Sequence, residues 1–151
     1  MLVERSGTIK QPLERVFEYV STPQNDPTWV PASLRHQKIS PDPLRVGSIT
    51  EENVAFLGRR MRYVWEVCHY EPPSAFSART LSGPLPFTIH LLLESVDSAT
   101  ELTLVVDAEL RGVYKLMEPL MKWVVQRQFK IQLRTLKNLL ESGTADNARA
   151  G

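Results

Sequence analysis

The sequence predicts an α+β fold: one curved antiparallel sheet of about seven strands wrapped around a long C-terminal helix, in the order β-α-α-β6-α. Three observations predict it. Residues 112–142 run about thirty positions with one proline and no internal glycine, roughly 45 Å of helix at ~1.5 Å per residue. Residues 34–110 alternate apolar and polar side chains between short turns, the period of half-buried strands. Ahead of them, Leu13, Val16, Phe17 and Val20 stand at i, i+3, i+4 and i+7, one face of a short helix.

Taken in order, residues 2–10 (LVERSGTIK) are rich in β-formers and make a first strand. Pro12 opens the first helix where its missing N–H costs nothing. Thr22-Pro23 starts a second helical turn, which Pro27 and Pro31 keep short and which carries Trp29. Residues 34–40 form the next strand, Pro41-Asp42-Pro43 a turn, and residues 48–57 another strand closed by Gly58-Arg59. In residues 60–70, Met61, Tyr63, Trp65 and Val67 face one way and Arg62, Val64, Glu66 and Cys68 the other. Pro72-Pro73 stops that strand. Residues 75–82 end at Gly83-Pro84, residues 87–96 place Phe87, Ile89, Leu91 and Leu93 on one face, and residues 100–110 alternate again. Strands joined by short turns form an antiparallel meander whose apolar face needs a cover.

That cover is the last helix. Val125, Phe129, Leu136 and Leu140 repeat at helical spacing, with Arg127, Lys130, Arg134 and Lys137 as a basic stripe opposite. Pro119 cannot donate to the carbonyl of Lys115, so the helix kinks or restarts there and residues 112–118 become a separate segment, a gate or a ragged start. One domain over residues 1–142 and a flexible tail over 143–151 complete the expectation.

The bulk numbers exclude several classes. Hydrophobic content of 42%, charged content of 23% and a net charge of +1 suit a globular protein and give no global field for nucleic acid. The single cysteine, Cys68, precludes an internal disulfide and fits a reducing compartment. With no apolar run of membrane-spanning length and no signal-peptide core in MLVERSGTIK, a cytoplasmic location is expected.

The proline-led helix PLERVFEYV, then NDPTWVP with Trp29 and Pro31, VGS at 46–48, WEVCHYEPP at 65–73 and EPL at 118–120 follow one another in an order that resembles the START-like, or helix-grip (SRPBCC), superfamily, and within it the polyketide cyclase/dehydrase and lipid-transport group. The resemblance covers about residues 5–141. It implies a sheet gripping the C-terminal helix around an apolar cavity. Members bind lipids, sterols, polyketides or hydrophobic hormones, and some catalyse cyclisation. The group has no universal catalytic motif, so the resemblance implies a pocket and no mechanism.

Candidate ligand-binding residues are Trp29, Phe56, Tyr63, Trp65, Phe87, Ile89, Met117, Met121, Val125, Phe129 and Gln132. Aromatics on a concave sheet face line a pocket or simply fill a core. Trp29 either touches a ligand at the cavity mouth or caps the core. Gln132 places an amide on the helix's most apolar face, where an unpartnered group costs about 1–3 kcal/mol, so it must find sheet side chains, water or a ligand.

His69, flanked by Glu66 and Glu71, is the local candidate for acid/base work, with a rim position as the plainer reading. His36, His69 and His90 show no metal-ligand spacing, and nucleophile, dinucleotide and phosphate-loop motifs are absent, so neither metal nor cofactor is expected. Cys68 reads as a small buried residue. The partner expected is a small hydrophobic molecule, bound or carried. A cyclase or dehydratase acting in the same cavity is one alternative. An interaction module using the basic helix face is the other, and exposure of Leu116, Leu120 and Trp123 would mark a dimer contact or a transient membrane contact.

Overall fold

The computed structural model describes residues 1–143; residues 144–151, nearly all of the expected tail, lie outside the described residues. The elements are β1 (Leu2–Ile9), α1 (Leu13–Val20), a 3-10 turn (Pro23–Asn25), α2 (Asp26–Trp29), β2 (Ser33–Lys38), β3 (Ile49–Phe56), β4 (Arg59–Glu71), β5 (Ala75–Ser82), β6 (Thr88–Val96), β7 (Ala99–Asp107), α3 (Val113–Leu116) and α4 (Glu118–Glu141). All seven strands form one sheet in the order β1-β7-β6-β5-β4-β3-β2, antiparallel throughout. Strands two to seven are a continuous meander. β1 closes on β7, so the helical segment from α1 through the 3-10 turn to α2, between β1 and β2, bridges the sheet's edges.

Alternation decides which face is which. Val54, Tyr63, Trp65, Val67, Phe76, Ala78, Leu91, Leu93, Leu102 and Leu104 point inward and join Val16, Phe17 and Val20 of α1 in a single core. Phe129, Leu133, Leu136 and Leu140 of α4 enter the same core. Polar bonds pin that helix to the β1 edge. Gln126 Nε2 donates to the Glu4 carbonyl (3.1 Å), Gln11 Nε2 donates to the Leu140 carbonyl (2.9 Å), and Lys10 N–H donates to Glu141 (3.0 Å).

The break expected at Pro119 is present: α3 ends at Leu116, and α4 starts at Glu118 with Pro119 in its first turn. The helix covers the sheet only over its second half, however. The fully buried α4 residues are Phe129, Gln132, Leu133, Leu136 and Leu140. Upstream, Leu116, Leu120 and Trp123 are 84%, 57% and 61% exposed. An exposed apolar stretch of this kind is uncommon on a monomer's surface. Arg127 lies over the Trp123 ring at 5.9 Å, so the basic and apolar stripes adjoin. Among the described residues, no helix is long and apolar enough to cross a membrane.

Two β-bulges rearrange the histidines. Between Ser33 and Arg35 the register of β2 against β3 slips, so His36 pairs with Glu52 rather than Glu51 and turns to the inner face. Between Val67 and His69 the register of β4 against β5 slips, and the next residues exchange faces. Such bulges reverse the in/out phase of all that follows. Cys68 keeps the outward phase that alternation gave it and is exposed rather than buried. His69, the acid/base candidate, sits on the outer face with a half-exposed ring paired to Glu71 at 3.2 Å, and nothing brings it to the interior.

Candidate functional site: a polar cluster on the inner sheet face

The inner face of β3 carries Thr50, Glu52 and Val54 in alternation, and all three are buried. Register sets Thr50 opposite Trp65 and Glu52 opposite Tyr63 on β4, and the β2 bulge sets His36 opposite Glu52. From the other side α2 lays Asp26 and Trp29 against this corner. A buried carboxylate needs partners. Glu52, 7% exposed, accepts a hydrogen bond from Trp65 Nε1 at 3.1 Å. Asp26 Oδ2 lies 2.7 Å from His36 Nδ1, and Glu52 Oε2 lies 3.7 Å from the same nitrogen. His36 Nε2 bonds Thr50 Oγ1 at 2.7 Å. Asp26, His36 and Glu52 thus present their ligating atoms within 4.8 Å of one another.

Burial shifts these groups. Desolvation pushes the Asp26 carboxyl up to about 6, against the downward pull of the His36 hydrogen bond and charge. Desolvation works to lower His36, but the hydrogen bond and charge of Asp26, then the charge of Glu52, leave it above its ordinary value.

Around the cluster lies the expected aromatic lining. Phe87 packs edge-on against Trp65 (5.1 Å) and Tyr63 (5.6 Å), and Tyr63 and Trp65 stand 5.9 Å apart. Gly83 presses on the Tyr63 ring, and a Cβ there would collide with it. Phe129 and Gln132 are buried, while Ile89, Met121 and Val125 are partly buried against the core. Phe56 ends the inner row of β3, half-buried. Met117, 42% exposed, stands at the α3–α4 break, outside this lining.

Among the described residues, Trp29 Nε1, Ser33 Oγ and Gln128 Oε1 are buried polar atoms left without hydrogen bonds. They come from α2, the first residue of β2 and α4. Trp29 is 4% exposed, and its N–H leans towards the Asp26 carboxyl without closing a full hydrogen bond. Gln132, the amide singled out from the sequence, is not among these orphans; its neighbour Gln128 is.

Two concavities both lie away from the space between the inner sheet face and α4, where a wide apolar void was expected. One, about 620 Å³, is an open depression along Thr135, Asn138 and Leu139. The other, about 240 Å³, lies between Phe17, Ser21, Leu44 and Tyr70. Tyr63, Trp65 and Phe87 meet ring against ring on the inner sheet face, where the void was expected.

Residues 2–141 match the family described as polyketide cyclase / dehydrase and lipid transport. The chain belongs to that family. No curated protein matches it. Among solved structures it is similar to protein TTHA0849 of Thermus thermophilus, with TM-score 0.80 and 14% identity over 95% of this chain and 99% of that one. It is also similar to the Zhui aromatase/cyclase of Streptomyces sp. R1128, with TM-score 0.76 and 15% identity over 93% of each chain. A START superfamily protein of Mycobacterium smegmatis matches with TM-score 0.76 and 16% identity, over 93% of this chain and 97% of that one. At these identities the likeness shows the shared helix-grip fold alone.

The polar corner went unseen in the sequence because its three ionisable members, Asp26, His36 and Glu52, lie on three different elements, far apart in the chain. One signal was available: Glu52 keeps phase with Thr50, Val54 and Phe56, so a carboxylate on the apolar face of β3 could be read directly.

Proposed function

We propose that this family member binds a small, largely apolar molecule bearing a few polar groups, of the lipid or polyketide kind, between the inner sheet face and α4. The observation that carries this reading is the trio of orphaned atoms, Trp29 Nε1, Ser33 Oγ and Gln128 Oε1, in a fold whose inner sheet face also carries the rings of Tyr63, Trp65 and Phe87. A buried unpaired donor or acceptor costs about 1–3 kcal/mol, a cost a guest carrying one donor and two acceptors removes. Affinity then comes from apolar burial, at about 25 cal/mol per Å², and orientation from the polar tips. Because the rings touch one another, entry requires α3 and the first turns of α4, which bury little, to swing away. Met117 is the joint. Native mass spectrometry of the purified protein, followed by chemical identification of any retained molecule, tests the reading. A retained apolar molecule that is lost in Trp29→Phe supports it. Purely apo protein that also fails to take up a panel of fatty acids and aromatic polyketides overturns it.

A second reading, a cyclase- or dehydratase-type enzyme working on the same guest, is favoured by one observation: Asp26, His36 and Glu52 face the interior, where an inert carrier needs no such groups. Turnover of an aromatic polyketide precursor that disappears in Glu52→Gln, with guest binding retained, supports it. Equal turnover in that variant removes it.

A further inference from the structure

We propose that Asp26, His36 and Glu52 are the protein ligands of a mononuclear site for a divalent transition-metal ion, with Zn(II) as the preferred occupant. Three strands of geometry converge on it. First, the donor set is one imidazole nitrogen and two carboxylate oxygens, a combination that suits Zn(II) and its first-row neighbours. Tetrahedral ligands at about 2.1 Å from an ion stand about 3.4 Å from one another. The observed separations from His36 Nδ1 are 2.7 Å to Asp26 Oδ2 and 3.7 Å to Glu52 Oε2, so side-chain shifts of less than about an ångström make room for it.

Second, outer partners already fix the ligands. With Nε2–H donating to Thr50 Oγ1 (2.7 Å), the Nδ1 lone pair is the one aimed at both carboxylates. Trp65 Nε1 holds the far oxygen of Glu52 at 3.1 Å and leaves Oε2 facing the ring. Metal-bound histidines and carboxylates are oriented in this manner. A proton between Nδ1 and Asp26 satisfies one pair only. Glu52 Oε2, at 3.7 Å, is beyond hydrogen-bonding reach. A single cation of charge +2 spans all three atoms and neutralises two carboxylates in a poorly hydrated corner.

Third, the indole N–H of Trp29 is buried and unpartnered, and it leans towards Asp26. With three protein ligands, a tetrahedral ion keeps a fourth position for water or an anionic guest atom. Trp29 is the donor on hand for an atom placed there.

The test uses the full chain, stripped with chelator and freed of any retained molecule, so that its outcome is independent of guest binding. Calorimetric titration with Zn(II) is expected to show one equivalent bound. Affinity falls at least about a hundredfold in His36→Ala and about tenfold in Thr50→Val, the size typical of losing an outer partner, while His69→Ala binds as the parent does. Because His36→Ala removes a buried side chain and can unfold the corner, the parent is also followed by ring 15N resonances. Zn(II) should move His36 Nδ1 far more than His36 Nε2 and leave His69 unmoved. Absence of saturable binding by folded protein overturns the proposal, as does binding that tracks His69, or a His36 ring that fails to respond.

Discussion

Gln128→Met separates a residue kept for a guest from one kept for the fold. The Gln128 carbonyl oxygen is buried without a donor, whereas Gln126, half a turn earlier, is tied at both ends of its amide. Its Nε2 donates to the Glu4 carbonyl at 3.1 Å, and its Oε1 accepts from Arg5 at 3.4 Å. Methionine matches glutamine in length and in helix propensity, so backbone preference contributes little. At Gln128 the substitution removes an unmet desolvation cost of about 1–3 kcal/mol and exchanges one side chain for another of similar volume, at less than about 1.5 kcal/mol. The net expectation is a gain of about 1 kcal/mol, or about 2–4 °C in Tm for a domain of this size. At Gln126 the same change breaks two made bonds and should lose about 1 kcal/mol. Urea unfolding followed by circular dichroism measures both, with the slope m expected to stay constant. Alongside the gain, Gln128→Met should retain less of any co-purifying molecule, the inverse relation of stability and function expected at a binding site. If Gln128→Met loses stability as Gln126→Met does, the carbonyl has a partner in the guest-free protein and the argument for a guest from that atom is void.

Other expectations follow from the same coordinates. Trp65→Phe should cost about 2–3 kcal/mol because Glu52, buried, loses its charged-acceptor hydrogen bond; combined with Glu52→Leu the loss should shrink, and a double-mutant cycle showing no coupling would count against the bond. Gly83→Ala should destabilise by about 2 kcal/mol or more, since φ of +146° and the Tyr63 ring beneath both exclude a methyl group, and near-ultraviolet circular dichroism should report the displaced ring. Replacing Leu116, Leu120 and Trp123 together with serine should leave the unfolding free energy nearly unchanged, because these side chains bury little; a large loss, or a shift in sedimentation coefficient, would mean the face is covered in solution. Glu141 is held below its ordinary value of 4.5 by the Lys10 N–H and then by Lys137. A carboxylate depressed on folding stabilises above its unfolded pKa and loses that contribution as pH falls through its folded one. The stability gap between the parent and Glu141→Gln should therefore be full near neutrality and close below about pH 4.5.

How much was legible in the sequence depends on which physical signal each feature rests on. The strands and the long helix rest on local period, which is written into adjacent residues, and their observed bounds, such as Ala75–Ser82 against residues 75–82, follow. The restart at Pro119 rests on a missing N–H, a property of one residue. The aromatic lining followed from alternation as well, because β4 pairs with β3 without a slip from Arg59 to Glu66. What alternation cannot supply is a change of phase. Nothing in Ser33-Leu34-Arg35 or Val67-Cys68-His69 announces an extra residue, since a bulge is stabilised by both strands and by the twist they share. One bulge took His69 out of the interior and the other brought His36 in, so the acid/base candidate moved from one histidine to another about thirty residues away in the chain. The β2 slip adds an imidazole to an inner face that already carried Thr50 and Glu52 by plain alternation, which makes that corner more polar than a count of inward apolar residues implied. Glu52, Thr50 and His36 occupy a corner that strict alternation assigned to no chemistry, and α2 closes over it with Asp26 and Trp29. A corner that gathers two carboxylates and an imidazole under a buried indole incurs a desolvation cost with no return in packing. Such a local cost marks function more often than fold.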